Sequence, residues 1–325
     1  MDFGYTLMTE QTGPRELVGH AAAAERAGFD FEVCSDHYFP WLDAMGHAPY
    51  AWSVLGAVTQ VTDRVELMTY VTRPIMRYHP PLVAQEAATT SLLSGGRFTL
   101  GLGSGENLNE HVVGAGWPPV NVRHEMFAEA VDIIDALLAG GYVSYGGQHF
   151  RVDSAKVWDL PEHGVPLAIA VSGQQSVKAF APRADVMIAV EPDAELCAAW
   201  DTAGPKGYRK VGQIPISWDH DRDAAVTRAH DLFRWFGGGW KVNAELPGTS
   251  GFAAASAFVR PEDVAESIPC GDDVDVDAVV EAVKPFWEAG FSDVALVQVG
   301  GDQQDSFFDA ASAEILPALR QAAAR

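Results

Sequence analysis

Eight short apolar segments with strand character alternate with helical segments along the 325 residues of this chain. The predicted strands cover residues 2–8, 33–34, 65–72, 97–103, 166–171, 185–190, 211–218 and 293–299. The predicted helices cover residues 14–28, 49–61, 80–95, 122–139, 174–181, 193–203, 222–236, 275–289 and 306–323, and a small hairpin is predicted over 142–152. Apolar strands that alternate with helices indicate parallel strand pairing.

Repetition of the strand–helix unit eight times favours a closed (β/α)8 TIM barrel with insertions over an open doubly wound sheet. No low-complexity linker divides the chain, so we expect one barrel domain over residues 1–325 with an insertion around 237–270. Within that insertion, residues 237–259 are predicted to be irregular. Active sites of TIM barrels lie at the C-terminal ends of the strands, so the residues that follow each strand are the candidates for function.

The net charge and the cysteine content of the chain exclude several classes of protein. The chain has 22 Lys and Arg against 44 Asp and Glu, a formal net charge of −22, which excludes nucleic-acid binding through a general basic surface. No apolar run is long enough to span a membrane, and the first residues lack a signal-peptide pattern. Cys34, Cys197 and Cys270 have neither disulfide-framework nor zinc-site spacing. We therefore expect a reduced, cytoplasmic protein without a metal.

The second predicted strand is followed by Ser35-Asp36-His37 and then by Trp41. A histidine at a strand end can act as an acid or base near neutral pH, and the adjacent Asp36 could orient it or raise its pKa. The indole offers a flat wall to a ring-shaped ligand. The structural alternative is a packed loop in which Asp36 caps the turn. Ser-Asp-His in direct succession cannot form a hydrolase triad, because triad groups converge from separate positions.

The fourth predicted strand is followed by Gly103-Ser104-Gly105-Glu106 and, shortly after, Asn109. The glycines permit close approach of a ligand to the backbone, and Glu106 is expected at the barrel mouth. A dinucleotide-binding fingerprint is excluded because the spacing differs and the segment lies far from the first strand–helix unit. A tight turn before a helix is the structural alternative.

Two further strand ends are weaker candidates. The third predicted strand runs into Tyr70-Val71, and the fifth runs through Ala170-Val171 into Ser172-Gly173. Backbone amides at Ser172 and Gly173, just before a helix, could receive a phosphate group. Plain strand-to-helix turns would have the same sequence, so both interpretations stay open.

Together these segments resemble the luciferase-like flavin and deazaflavin oxidoreductases, and within them the coenzyme F420-dependent glucose-6-phosphate dehydrogenase group. The resemblance covers nearly the whole chain. It rests on Pro14-Arg15-Glu16-Leu17-Val18, Ser35-Asp36-His37 with Trp41, Gly46-His47-Ala48-Pro49, Arg77-Tyr78-His79-Pro80, the segment Gly103 to Glu110, and Val165-Pro166.

This resemblance implies a hydride carrier of the 8-hydroxy-5-deazaflavin type, coenzyme F420, in the barrel mouth. It implies that His37 takes the proton from a substrate alcohol, that Trp41 walls the reacting centre and that Glu106 lies near the ring nitrogen. Tyr70-Val71 matches the place of a cis non-proline bond behind the ring. The implied cofactor contacts also include Asp36, Ser104, Gly105, Asn109, Ala170, Val171, Ser172 and Gly173. A homodimer is implied as well.

The chain departs from the sugar-phosphate enzymes where those enzymes hold the substrate phosphate. Glu191-Pro192-Asp193 stands where a lysine is expected, and Glu266-Ser267 stands where an arginine is expected. Carboxylates at these two places repel phosphate. In residues 237–259, Trp240, Phe252 and Phe258 offer apolar surface, and Lys241 is the one cation. We expect an alcohol- or carbonyl-type substrate without a phosphate. The alternatives are an FMN-dependent luciferase-like monooxygenase, a true sugar-6-phosphate dehydrogenase and a barrel without catalytic activity.

Overall fold

A computed structural model describes residues 1–204, 209–271 and 276–324 of the chain. Its strands are β1 Asp2–Leu7, β2 Phe31–Cys34, β3 Glu66–Thr69, β4 Phe98–Leu102, β5 Val143–Gly146, β6 Arg151–Ala155, β7 Leu167–Ala170, β8 Val186–Ile188, β9 Arg209–Trp218, β10 Cys270–Gly271 and β11 Asp293–Gln298. The order β9-β11-β1-β2-β3-β4-β7-β8, with β8 also paired to β9, closes a parallel barrel. The predicted TIM barrel is confirmed.

Helices surround this barrel and follow the predicted alternation. They are α1 Pro14–Ala27, α2 Ala51–Val58, α3 Pro80–Leu93, α4 Asn107–Glu110, α5 Val120–Leu138, α6 Gln174–Phe180, α7 Ala194–Ala203, α8 Arg222–Phe233, α9 Trp240–Asn243, α10 Thr249–Ala255, α11 Pro261–Ser267, α12 Val276–Ala289, α13 Gln304–Ala310 and α14 Leu316–Ala323. The helix predicted over 275–289 begins at a residue outside the described ranges. None of the described helices is long and apolar enough to cross a membrane.

Side chains that alternate along the strands fill two separate apolar layers. Phe31 and Val33 of β2 point into the barrel, whereas Cys34 belongs to the layer between the strands and the helices. The barrel interior is packed with Phe31, Val33, Met68, Ala168, Val186, Ile188, Val211 and Ala295. The barrel is therefore a solid core. Chemistry is confined to its rim.

Residues 237–259, predicted to be irregular, contain two short helices, α9 and α10, and α11 follows them. The prediction was wrong because these helices are only 4, 7 and 7 residues long, so no sustained helical period exists in the sequence. The segment is held to the barrel by its contacts: Phe252 and Val264 join a core cluster with Trp41 and Leu42 from the loop after β2. The hairpin predicted over 142–152 is present as β5 and β6.

Gly101 in β4 marks the closest approach between two barrel strands. A Cβ atom at this position would lie 1.8 Å from the carbonyl oxygen of Thr69 in β3. Because the oxygen belongs to the backbone of a barrel strand and cannot move aside freely, Gly101→Ala is expected to unfold the protein or to lower its melting temperature strongly. The matched control is Gly56→Ala in α2, where a Cβ has no heavy atom within 4 Å and alanine is the better helix former by about 1 kcal/mol. Thermal melts with an equal loss at both positions would contradict this packing.

Candidate active site

His37 lies just beyond the end of β2 and is buried, with 6% of its surface exposed. Its Nε2 is 3.5 Å from Oε1 of Glu10, and its Nδ1 is 3.0 Å from the side-chain amide nitrogen of Asn109. The imidazole ring centre is 4.8 Å from that of Trp41. The structure thus brings the predicted His37 and Trp41 together with two further polar groups.

Electrostatics keep the His37 imidazole neutral. Burial is the largest cause that lowers the pKa of His37 well below its ordinary value, and the positive charges of Arg73 and Arg77 lower it further. The expectation that Asp36 raises this pKa and orients the ring was wrong. The Asp36 carboxylate is engaged elsewhere: it accepts hydrogen bonds from Thr72 Oγ1 (2.8 Å), Arg77 Nη2 (3.0 Å) and Tyr78 Oη (3.0 Å).

Asp36 therefore has a structural role, which the sequence analysis overlooked because His37 is its neighbour in the chain. Its side chain is completely buried, and its three donors all come from the segment after β3. Its backbone carbonyl also accepts from Arg77 Nη2 at 3.0 Å. These bonds fix the backbone from which His37 projects. The predicted contact between Asp36 and a cofactor stays a prediction.

Glu10 is a further candidate for the active site, one that the sequence analysis missed. It follows β1, is 1% exposed, and accepts hydrogen bonds from Trp41 Nε1 (3.1 Å), Thr9 Oγ1 (3.1 Å) and Ser35 Oγ. Burial raises the pKa of its carboxyl above the ordinary value, against the lowering effect of the hydrogen bonds. The rule that strand ends carry the site applies to β1 as well and could have identified Glu10.

Glu106 is buried at the start of α4, not exposed at the barrel mouth. Its carboxylate pairs with Arg73 Nη1 at 3.0 Å and accepts a hydrogen bond from the Asn109 amide. Arg73 also approaches Glu110 at 3.7 Å and donates to the carbonyl of Asp36. Glu106 thus has a structural partner besides its predicted role beside a cofactor, and that role stays a prediction.

Aromatic side chains from distant parts of the chain pack together beside His37. Trp41 stacks against Trp235 with ring centres 4.1 Å apart and planes 11° apart, and Phe252 meets Trp41 edge-on at 5.1 Å. Phe252 is fully buried behind Trp41, and Phe258 is 76% exposed to solvent. The expectation that both line the substrate site was wrong. Trp235, which the sequence analysis did not select, supplies the second ring.

The segment that carries the insertion is fastened to the loop after β4. The backbone nitrogen of Asn107 donates to the carbonyl of Ala244 at 3.0 Å. The carboxylate of Glu245 accepts hydrogen bonds from Trp117 Nε1 at 3.0 Å and Arg123 Nη2 at 2.8 Å. These bonds anchor the aromatic segment next to the loop that holds Glu106.

The predicted cis bond between Tyr70 and Val71 is present, directly after β3. A Cβ at Gly103 would lie 2.6 Å from Val71 Cγ2 and 3.7 Å from Ala170 Cβ, so the ends of β3, β4 and β7 meet here. Gly105 has φ +84°, a conformation that favours glycine. Tyr70, Val71, Ser104 and Ala170 are each only partly buried. They form a platform open at the rim of the barrel, which fits a flat ring system.

The predicted groups near β7 and β8 have local partners. The backbone nitrogen of Ser172 donates to Ser176 Oγ at 3.3 Å, so this amide is not wholly available to a phosphate. Asp193 caps α7 by accepting from the backbone nitrogens of Glu195 and Leu196 at 2.9 and 3.0 Å. Glu191 and Glu266 are exposed. Contacts of Val171, Ser172 and Gly173 with a cofactor stay predictions.

The model of the luciferase-like monooxygenase family matches residues 1–293. The chain belongs to this family, as its sequence motifs indicated. It is 34% identical over 343 residues to an F420-dependent glucose-6-phosphate dehydrogenase of Amycolatopsis mediterranei, with 98% of each chain covered. A second such enzyme, from Beutenbergia cavernae, is 33% identical, with 98% of this chain and 97% of the relative covered.

Solved structures agree with this placement. An F420-dependent secondary alcohol dehydrogenase in complex with an F420–acetone adduct is 26% identical, has a TM-score of 0.87, and matches over 98% of this chain and 99% of its own. The coenzyme F420-dependent tetrahydromethanopterin reductase of Methanopyrus kandleri is 20% identical, with a TM-score of 0.73 over 98% of this chain and 99% of its own. The second likeness supports the fold alone.

The depressed pKa of His37 can be measured directly. Histidine NMR titration, with His37→Gln to assign the signal, is expected to give a midpoint well below the ordinary value of about 6.5. Because the unfolded chain then binds the proton first, the parent should lose stability relative to His37→Gln as pH falls below about 6.5. A midpoint at or above 6.5 would show that burial and Arg73 do not control this group.

Proposed function

We propose that this protein, an oxidoreductase that uses coenzyme F420, interconverts a small neutral alcohol and the corresponding carbonyl compound. The observation that carries the proposal is the Glu10–His37 pair beside the Trp41–Trp235 stack: a proton-accepting site next to an apolar wall. The similarity to F420-dependent glucose-6-phosphate dehydrogenases supports the cofactor, and the 26%-identical alcohol dehydrogenase supports the reaction class.

The residues at the rim are suited to hold the cofactor. Val71 and Ala170 would contact a flat ring system from the barrel side, and Ser104 and Gly105 would approach its edge. The hydroxyl of Tyr70, at the same platform, has no hydrogen-bond partner among the described residues. When bound, a deazaflavin accepts or donates a hydride. Glu106 and Asn109 would border the ring and keep their buried partners on the protein side.

Proton transfer belongs to Glu10 and His37 together. Oxidation of an alcohol releases the hydroxyl proton, and the group that receives it needs a lone pair and a pKa near the working pH. The raised pKa of Glu10 makes its carboxylate a better proton acceptor than an ordinary carboxylate, whereas the lowered pKa of His37 weakens it as a base. We therefore infer that Glu10 takes the proton and that His37 orients the alcohol oxygen.

Charge and shape favour a substrate without phosphate. Glu191 and Glu266 occupy the positions where the resemblance leads one to expect cations, and both are exposed. Charge-assisted bonds to phosphate are worth about 1.5–3 kcal/mol each, so the loss of two would weaken binding by about 10²–10⁴-fold. The Trp41–Trp235 wall instead suits a compact apolar substituent on the substrate.

The substrate proposal is tested by steady-state F420 reduction with 2-propanol, cyclohexanol and glucose 6-phosphate. We expect turnover with the neutral secondary alcohols and little or none with the phosphate ester, because the site offers it two carboxylates. A sub-millimolar Michaelis constant for glucose 6-phosphate with ordinary turnover would contradict the proposal. Saturable binding of FMN with no response to F420 would favour the monooxygenase alternative.

The proton roles are tested by Glu10→Gln and His37→Ala. Both are expected to lower kcat for alcohol oxidation by about 10²–10⁴-fold, the range of general acid–base groups, with cofactor affinity nearly unchanged. If Glu10 is the acceptor, Glu10→Gln also removes the lower limb of the pH–rate profile, and His37→Ala leaves it. Full activity of Glu10→Gln would assign the base elsewhere. Thr202→Ala, in the exposed α7, is the matched surface control.

We propose that two copies of the chain associate through the outer face of α3. Leu82, Leu92 and Leu93 on this helix are 54%, 45% and 49% exposed, and Val61 beyond α2 is 44% exposed. Exposed apolar patches of this kind are typical of protein–protein contacts. The homodimer that the sequence resemblance implies leads us to choose a second copy of this chain as the occupant.

Light scattering at micromolar concentration is expected to give twice the mass of 34.9 kDa. Leu82→Lys with Leu93→Lys should give a monomer, because two charges would be buried in the contact. The control is Phe258→Lys, which alters an exposed ring on another helix-bearing segment and should leave the dimer intact. A monomeric parent would refute the proposal.

We also propose a reducing, cytoplasmic location. Cys34, Cys197 and Cys270 are all buried free thiols, and none is paired in a disulfide. Burial raises the pKa of the Cys34 thiol well above its ordinary value, which keeps it protonated and unreactive. Such a set needs no oxidising compartment for folding. Fractionation of the native host with detection in the membrane or exported fraction would contradict this location.

A further inference from the structure

Asn109 is fully buried at the junction of the loops after β2 and β4. Its Oδ1 accepts hydrogen bonds from the backbone nitrogens of Tyr38 at 2.6 Å and Phe39 at 3.0 Å. Two backbone N–H groups can be satisfied only by an oxygen, so the side-chain amide has one possible orientation. Its nitrogen must therefore point away from the loop backbone.

That nitrogen faces two acceptors. Nδ2 lies 3.0 Å from Nδ1 of His37 and also donates to Oε1 of Glu106. An amide nitrogen has two hydrogens, and two donors cannot face each other. A hydrogen bond from Asn109 therefore requires that Nδ1 of His37 carries no proton.

The opposite ring nitrogen meets the complementary partner. Nε2 of His37 is 3.5 Å from Oε1 of Glu10, an acceptor when ionised, so a proton on Nε2 is favoured. One contact opposes this arrangement: the carbonyl of Phe39 lies 3.1 Å from Nδ1 and would favour a proton there. Asn109 at Nδ1 and Glu10 at Nε2 thus favour the Nε2–H tautomer, whereas the Phe39 carbonyl at Nδ1 favours the Nδ1–H tautomer.

We propose that Asn109 is a positioning residue that holds neutral His37 as the Nε2–H tautomer and ties it to Glu106 through one amide. In this form the single N–H donor of His37, at Nε2, faces the Glu10 carboxylate and would turn to a substrate oxygen bound between the two groups, which leaves Glu10 to accept the proton. The catalytic consequence rests on the proposed function. The tautomer itself is a property of the protein alone.

A wrong tautomer at a catalytic histidine can cost about 10⁴-fold in turnover. Asn109→Ala removes the donor and leaves the Phe39 carbonyl at Nδ1 and Glu10 at Nε2. Because the carbonyl is nearer, at 3.1 Å against 3.5 Å, we expect the Nδ1–H tautomer to prevail. Asn109→Asp keeps the shape but replaces the donor by an acceptor beside Glu106. It should drive a proton onto Nδ1, either as the Nδ1–H tautomer or as imidazolium.

The test is ¹⁵N NMR of histidine-labelled protein at pH 7 without cofactor or substrate, with His37→Gln to assign the signals. In the parent we expect a pyridine-type shift at Nδ1 and a pyrrole-type shift at Nε2. The two shifts should exchange in Asn109→Ala. Asn107→Ala, which removes a hydrogen bond to the Glu245 carbonyl, is the control and should match the parent.

A protonated Nδ1 in the parent overturns the proposal, and so does an unchanged tautomer in a folded Asn109→Ala protein. The parent spectrum decides the question even if both Asn109 variants fail to fold. Because the measurement needs no turnover, it is separate from the proposed function: the predicted tautomer in a protein that does not oxidise alcohols with F420 would leave the positioning role and remove only the reaction.

Discussion

A buried cluster of opposite charges holds the candidate active site together. Arg73 lies 3.0 Å from Glu106, and Arg77 lies 3.0 Å from Asp36, while Glu110 approaches both arginines at 3.7 Å. The cluster joins the loops after β2, β3 and β4, which carry His37, the Tyr70–Val71 bond and Glu106. Removal of one partner from a buried pair costs about 3–5 kcal/mol, because the remaining charge stays uncompensated. The positions of these loops depend on this balance.

The same cluster also affects the proton affinity of the neighbouring pair, His37 and Glu10. The charge of Arg73 lowers the pKa of His37, in addition to the larger effect of burial, and burial raises the pKa of Glu10. Two titratable groups only 3.5 Å apart are thus driven in opposite directions. Separated pKa values assign different roles to adjacent groups. A histidine that stays neutral and a carboxylate that gains affinity for a proton suit an enzyme that moves a hydride and a proton at the same carbon–oxygen bond.

The sequence predicted the features that are set by residues close together in the chain. The alternation of strands and helices indicated the barrel, and the strand-end rule selected His37, Trp41 and Glu106. Glu10 also follows a strand, but it was missed because no motif marks Met8-Thr9-Glu10 and because its partners His37 and Ser35 come from the loop after β2. Trp235 was missed because its partner Trp41 is far away in the chain. The role of Asp36 was misjudged because its partners Arg77 and Tyr78 follow a different strand. Its position next to His37 in the sequence suggested that its carboxylate acts on His37 instead.

We propose that a hydride passes directly between an alcohol carbon and F420 while the proton passes to Glu10. The most direct measurement uses 2-propanol deuterated at C2, with mass spectrometry of the reduced cofactor after one turnover. We expect that the cofactor gains one deuterium from the alcohol and that none is lost to water. Reduced cofactor that carries solvent hydrogen at the reacting position, or no reduction of F420 by any secondary alcohol, would contradict it.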